Sequence, residues 1–378
     1  MREQEPDRRV VGEEGTQPLR VLLCPDKPDW SFDNIANNII RHAGPHNVSK
    51  LYMADVLGKG SERLFFETIF LNRIDICHVF WREDLFHMLN PFTIATAAWQ
   101  LGLEYETLVR GLNGCAFTSS IYDHLFISPD DLRERQASFA MMDAYTVCSE
   151  KLEAIYAAQP SIPAPDAVIP DGVDIDHFSP RPDGARGHAP YSIGWVGNSA
   201  WGKQSQGYDV KGYHRLFDPM IKELESRGLE VSRKIADPEI QHIPFAAMPN
   251  FYRDLDVFVC TSAMEGTPNP VLEAMACGVP VVSTDVGIVP QAFGDLQKRF
   301  MLKNAEPGSL ADAVSELVSN TSLRDAISVE NRSRMADWTW EARGLEWWPF
   351  FQSALRTATA TRNATRRESY LLSQAAIL

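Results

Sequence analysis

From Arg20 onward, short apolar runs alternate with longer stretches that carry helical spacing. RVLLCP, SKLYMAD, DICHVFW, CAFTSS and AYTVCS look like buried strands. Between them lie helix-like segments such as SFDNIANNIIRH and PFTIATAAWQLGL. A second series repeats the rhythm. YSIGWVG, LEVSRKIA, DVFVCTS and VPVVSTD predict strands. GYHRLFDPMIKELESRG, MPNFYRDL, NPVLEAMACG and SLADAVSELVS predict helices. Strands alternating with helices argue for parallel sheets covered on both faces. The expected fold is α/β, with two doubly wound Rossmann-like domains facing across a cleft. Open sheets of this kind bind ligands at the carboxyl ends of their strands.

A composition break separates the two series. Residues 161–190 hold Pro163, Pro165, Pro170, Pro180, Pro182 and Pro190, with Gly172, Gly184 and Gly187, which suits an exposed connection between domains. The expected division is a disordered charged leader over 1–18, an N-terminal domain over 19–188 and a C-terminal domain over 189–337. Residues 338–358 follow as an aromatic helix and 359–378 as a tail. The segment WTWEARGLEWWPFFQSAL, from Trp338 to Leu355, has the aromatic density of a helix packed against something large. The tail carries Arg362, Arg366 and Arg367 against only Glu368. It reads as a solvated tail, with contact to anionic lipid as the alternative.

At 378 residues, two domains is the natural prior. A net charge of −14 disfavours a nucleic-acid partner, which needs a concentrated positive field. The six cysteines show no C-x-x-C spacing, so they read as reduced core residues rather than a zinc site, which suits a reducing cytosol. MREQEPDRRVVGEEGTQP lacks the apolar region of a signal peptide. No run reaches the roughly 18 apolar residues of a membrane span. The expectation is a cytoplasmic protein, with peripheral contact to the inner face of a membrane left open.

The sharpest segment is CTSAMEGTPNPVLEAMACGVPVVSTDVG, from Cys260 to Gly287. A strand runs into a turn holding Glu265, Gly266, Thr267 and Pro268. A helix is expected to begin near Asn269 and Pro270, with Asn269 as its cap, and to end at Gly278. Backbone N–H groups at such a helix start suit a diphosphate. Glu265 and Glu273 do not bind phosphate by charge. Their better use is accepting hydrogen bonds from hydroxyl groups on either side of it.

Here a resemblance enters. Two glutamates separated by seven residues, inside EGTPNPVLEAMACGVPVV, resemble the signature of glycosyltransferase family 4. These are retaining enzymes of GT-B architecture, of the bacterial polysaccharide or lipopolysaccharide type. The resemblance extends through AYTVCSEKL, VIPDGVDIDHFSP, SIGWVGNS and HIPFAAMPNFYRDLDVFVCTS. It implies that Glu265 contacts the donor sugar and Glu273 the ribose. It also places the backbone of Gly266, Thr267, Pro268, Asn269, Pro270 and Val271 beside sugar and phosphates. The phosphate loop departs from the family: Asn198 follows Gly197 where family members often carry Arg. Lys211, in Lys211–Gly212, or Lys203 in the same loop, takes over the leaving diphosphate. The Gly-Gly pair common after the first strand is also missing. From the N-terminal half, His124 is the candidate for contact with the donor sugar and Asp123 for orienting or activating the acceptor hydroxyl.

The resulting expectation is a retaining glycosyltransferase. Its substrates are a nucleotide-diphosphate sugar and a glycan or lipid-linked acceptor. It uses no cofactor and no metal, since no D-x-D triplet stands out as a metal site. The aromatic helix returns to the N-terminal domain, as the resemblance implies. Two rivals remain: a GT-B sugar-nucleotide epimerase, and a catalytically silent partner that binds a glycan or a second transferase.

Overall fold

The structure is a computed structural model that describes residues 17–181, 189–200, 209–359 and 363–378. Its strands are β1 (Arg20–Cys24), β2 (Asn47–Lys50), β3 (Ile76–Val79), β4 (Ala116–Ile121), β5 (Ala144–Val147), β6 (Ala167–Val168), β7 (Tyr191–Val196), β8 (Val231–Ala236), β9 (Val257–Cys260), β10 (Val281–Thr284) and β11 (Met301–Leu302). They form two sheets, ordered β2-β1-β3-β4-β5-β6 and β11-β10-β9-β7-β8. Every pairing between named strands is parallel. β3, β4, β5, β9 and β10 are buried along their whole length, as parallel strands with helices on both faces must be.

The strand order fixes where a ligand can sit. From β1 the chain goes to β2 on one side, then to β3 on the other. From β7 it goes to β8, then across to β9. The loops leaving the carboxyl ends of β7 and β9 therefore diverge and open a crevice. In the second sheet these loops begin after Val196 and Cys260.

Several expectations need correcting. SKLYMAD is not one strand. The edge strand is the more polar Asn47–Lys50, and Met53–Val56 is a helical turn. The amides of Met53 and Ala54 donate to the carbonyls of Pro25 and Asp26, which turns the chain out of the sheet. The helix predicted from Gly212 starts with a wide π turn over Tyr213–Phe217 before Asp218–Ser226. Pro219, with no amide hydrogen, sits at the join. The proline-rich stretch is not merely an exposed connection. It supplies β6, and Ile169, Asp171, Val173 and Phe178 are buried. Residues 182–188 lie outside the described part, as do 1–16 of the leader.

The aromatic helix spans Trp340–Thr359. Trp340, Trp347 and Phe351 pack in one core with Val21, Leu23, Ile35 and Phe80 of the first domain. The edge of the buried His78 ring meets Trp347 at 5.1 Å. Just before this helix the chain runs beside the first crossing between the domains. Val173 N–H donates to the Trp338 carbonyl at 2.8 Å, and Gly172 packs so close to Trp340 that a Cβ would lie 2.8 Å from its backbone.

The solvated-tail expectation fails. Residues Asn363–Ser373 form a helix on the first domain. Arg367 is only 1% exposed, where Nη1 pairs with Asp143 at 2.6 Å. The guanidinium also donates to the carbonyls of Met141, Leu112 and Cys115. Arg367 and Leu371 lie four residues apart, on one helix face, and both are buried. The charge excess hid this because a long side chain can bury its stem and still find partners for its head. Arg366 is exposed, and Arg362 falls outside the described residues. All six cysteines are buried, and none is in a disulfide.

Candidate functional site

The site is built where β9 ends. Thr261 Oγ1 accepts from Trp195 Nε1 at 3.0 Å and donates to the Lys211 carbonyl at 2.8 Å. This ties the 209–212 loop to the crevice. Gly212 has φ +71°, and a Cβ there would overlap the Thr261 carbonyl, so Lys211 must be followed by glycine. The Lys211 ammonium donates to Glu265 Oε1 at 2.5 Å, and Ser262 Oγ donates to the same oxygen at 2.7 Å. The two ends of this ion pair are 25% and 16% exposed, so it faces the cleft without being sealed in it.

The turn after Glu265 closes against the first domain. A Cβ at Gly266 would overlap the Cys148 thiol and lie 2.7 Å from the Tyr122 carbonyl. Only glycine permits this approach. The helix runs Asn269–Ala276, but Asn269 is not its cap. Pro268 holds that place without a side-chain bond, and the Asn269 carboxamide donates to Asp171 Oδ2 at 3.1 Å. Thr267 Oγ1 accepts from the Asp171 amide at 3.2 Å. The expected row of free amides is thinner than predicted. The amides of Asn269 and Val271 donate to the carbonyls of Thr267 and Pro268, and Pro268 and Pro270 have no N–H. Gly278 ends the helix with φ +70°.

Glu273 lies one turn inside that helix and accepts from Tyr252 at 2.6 Å through Oε2. It lines a small cavity of about 50 Å³ between the domains, with Asn34 and Asn38 from the first domain, Asn269, Phe245 and Trp340. Burial pushes the Glu273 carboxyl up to about 7, against the Tyr252 hydrogen bond. Asp171 is buried in the chain crossing, and burial likewise pushes it up to about 7, against hydrogen bonds from Asn269 and Tyr122.

The remaining predicted residues divide. Gly197 donates to the Ala236 carbonyl at 3.1 Å, and a Cβ there would press on the Trp195 ring. Asn198 turns its Oδ1 to the Ala200 amide at 2.8 Å, forming the turn rather than reaching outward. Lys203 lies outside the described residues. Asp123 is buried as the partner of Arg82. Its Oδ1 accepts from Arg82 Nη2 at 3.0 Å and from the Leu125 amide at 2.8 Å. That pairing engages one of the two carboxylate oxygens of Asp123 within the first domain. His124 is half-buried, and burial lowers its pKa. It follows Tyr122, whose carbonyl touches Gly266, so this loop lies at the domain junction.

Sequence reasoning missed Ser262, Tyr252, Tyr122 and Asp171. It also missed Lys151, which crosses the cleft to pair with Asp285 at 2.6 Å. Lys151, Asp171, Tyr252 and Ser262 all lie inside segments matched to the family, AYTVCSEKL, VIPDGVDIDHFSP and HIPFAAMPNFYRDLDVFVCTS, but nothing in those segments marks the individual side chain. Only the position of Ser262 three residues before Glu265 offered a signal. Among the described residues no group of three or more His, Cys, Asp or Glu side chains is placed to hold a metal ion.

Two doubly wound parallel domains, with a lysine–glutamate pair at the switch point of the second, define a protein of GT-B architecture. The comparisons agree. Residues 230–334 match the family model described as glycosyl transferases group 1. The chain is 29% identical over 136 residues to the O-antigen chain mannosyltransferase B of Escherichia coli, covering 35% of this chain and 33% of that protein. It is 27% identical over 253 residues to a D-inositol 3-phosphate glycosyltransferase of Actinosynnema mirum, covering 59% and 57%. The matches thus span about a third and just over half of those relatives. The fold is shared with Anabaena HepE, solved in complex with UDP, at a TM-score of 0.60 and 15% identity, over 89% of this chain and all of that one.

Proposed function

We propose that this protein is a retaining glycosyltransferase that moves a sugar from a nucleotide-diphosphate donor to a hydroxyl of a glycan or lipid-linked acceptor. The observation that carries it is the Lys211–Glu265 pair at the end of β9, with Glu273 one turn into the helix that follows and lining the cavity between the domains. Lys211 stands ready to meet negative charge developing on the leaving diphosphate. Glu265 accepts hydrogen bonds from the donor sugar, and Glu273 from the ribose. The amides of Gly266 and Thr267 face the phosphates. The acceptor oxygen bonds to the anomeric carbon on the face the diphosphate leaves. The departing phosphate takes the acceptor's proton. His124 and the loop around it contact sugar or acceptor from the first domain.

The similarity of residues 230–334 to group 1 transferases supports this reading, as does the mannosyltransferase and inositol-phosphate transferase character of the relatives. No described helix is long and apolar enough to cross a membrane. A cytoplasmic site of action, with the acceptor presented at a membrane surface, fits that observation. A thermal-shift screen of nucleotide sugars tests the reading. A ligand at 100 times its dissociation constant stabilises by about 2.7 kcal/mol. The selected donor must then release nucleoside diphosphate only when an acceptor is added. Turnover without acceptor points to the epimerase. Binding of no nucleotide sugar removes the transferase reading.

A further inference from the structure

The corner between β5 and the Glu150–Ala157 helix of the first domain meets the second domain at Gly266 and at Asp285. Ser149 caps this helix, its hydroxyl accepting from the Leu152 amide at 3.3 Å, which holds the corner in one shape. Cys148 packs on Gly266, where a Cβ would overlap the thiol sulfur. Three residues further on, Lys151 reaches Asp285, just past the end of β10. Its ammonium donates to the Asp285 main-chain carbonyl at 2.6 Å and pairs with the carboxylate Oδ1 at 2.6 Å.

The backbone that Lys151 holds is the support of the donor turn. Gly287 has φ +48°, and a Cβ there would overlap the Gly266 carbonyl oxygen and lie 3.0 Å from that of Glu265. The Ile288 amide donates to the same Gly266 carbonyl at 3.0 Å. On the other side of Asp285, Thr284 Oγ1 donates to the Ser262 carbonyl at 2.6 Å, and the Ser262 hydroxyl donates to Glu265 Oε1 at 2.7 Å. Asp285 therefore lies between the Thr284 and Ile288 bonds that support Glu265 and Gly266. An ion pair that is 40% exposed at the lysine and 21% at the aspartate adds little to folding stability. The bond to the carbonyl has a different consequence. A carboxylate can rotate about its side-chain bonds, whereas a pinned carbonyl fixes a whole peptide plane and the path of the chain.

We propose that Lys151 is a positioning residue for the transfer reaction. From the first domain it sets the 285–288 turn, and through that turn the place of Glu265 and Gly266. This rests on the transferase reading above. Lys151 touches no substrate in this arrangement. Its removal leaves every donor-site group present but frees their support from the domain that carries the acceptor. A misplacement of about 1 Å costs on the order of 100-fold in rate, and a group that acts only on the alignment of the transition state shows in kcat rather than KM.

The test measures acceptor-dependent release of nucleoside diphosphate by the full chain, with the nucleotide sugar selected by thermal shift, in wild type, Lys151→Met and Lys151→Cys. Both variants should lose about 10- to 100-fold in kcat, with KM for donor and acceptor within about twofold of wild type. Both should unfold in urea at the wild-type midpoint. Treating Lys151→Cys with 2-bromoethylamine joins the thiol sulfur to an aminoethyl group with loss of hydrogen bromide. This rebuilds an ammonium at the reach of lysine and should restore most of kcat. The six native cysteines are buried, so the same treatment should leave wild type unchanged. Wild-type kcat in Lys151→Met overturns the proposal and leaves the transferase reading standing. A rise in KM that accounts for the whole loss places Lys151 on that substrate and also overturns it. So does a loss of kcat that follows a lowered unfolding midpoint and is not recovered by alkylation. Wild type that releases no diphosphate with any acceptor removes the transferase reading, and the proposal with it.

Discussion

Asp171→Asn should make the protein less sensitive to alkali. Asp171 is 2% exposed and sits where the chain crosses between the domains. Its partners are the Asn269 carboxamide and, at 3.4 Å, the Tyr122 hydroxyl, and neither carries charge. Burial raises the carboxyl from 3.8 to about 7. A raised acid holds its proton more tightly in the folded state than in the unfolded one. Its stabilising contribution is therefore complete below pH 3.8 and falls as pH rises toward 7. Above pH 7 the loss levels off, because both states are then ionised. Each tenfold difference in proton affinity between the two states is worth about 1.4 kcal/mol, so this group removes on the order of 4 kcal/mol in all and about 2 to 3 kcal/mol between pH 5 and pH 8. The asparagine side chain would keep the shape, and the backbone bond to Thr267 would stay, while the titration is removed. Glu273, also near 7, titrates in both proteins and cancels in the difference. Urea unfolding at pH 5, 6, 7 and 8, followed by tryptophan fluorescence, measures the gap. The variant should gain on wild type by about 2 to 3 kcal/mol across that range. Curves that stay parallel, with a difference constant to within about 0.5 kcal/mol, would refute a proton shared unequally between folded and unfolded chains.

Glu273→Ala should weaken nucleoside diphosphate binding by about 10- to 100-fold, the value of hydrogen bonds to a charged group, and unchanged affinity by calorimetry removes the ribose assignment. Lys211→Ala should lower turnover about 100- to 1,000-fold while changing donor binding far less. Wild-type rates in Lys211→Ala, Lys203→Ala and their double mutant would defeat the phosphate-clamp idea. Arg367→Met should cost about 3–5 kcal/mol in denaturant unfolding by leaving Asp143 buried without a cation, with much of the loss recovered when Asp143→Asn is added. Activity should persist in EDTA, and complete loss restored by magnesium or manganese contradicts that.

The alternation of apolar runs made the two sheets legible, because parallel strands buried on both faces write themselves as short unbroken hydrophobic segments. The edges were harder. β2 is half-exposed, so its sequence, NVSK, is polar, and the apolar run beside it drew the strand a few residues too far. β6 and β11 have two residues each and leave no periodic signal. Arg367 looked like surface because composition counts charge and does not see Asp143, 224 residues away in the chain. Glu265 and Glu273 stand in a dense local motif and could be found. Asp171 meets Thr267 and Asn269 only when the domains come together. That contact is tertiary, and no spacing along the chain encodes it. Asn269 shows the same limit in reverse: its local chemistry favours a cap, and a buried carboxyl from the domain crossing takes its side chain instead.

The paired crossings between the domains bear on how the chain is made. The core of the first domain takes Val21, Leu23 and Phe80 from early residues, then Trp347, Phe351 and Ala354 from residues synthesised after the second domain. Leu371 and Arg367 seal its other face. The second domain draws its buried residues from Val173 to Trp338, one uninterrupted stretch. On a ribosome, where domains generally fold as units in the order they emerge, this inverts the usual sequence. The second domain can close while the first still waits for its aromatic layer, with one sheet face bare. A nascent chain whose second domain has just emerged and closed therefore carries that finished domain beside an unfinished and adhesive partner. The interval before the Trp340–Thr359 helix arrives is the time in which the protein most needs a chaperone.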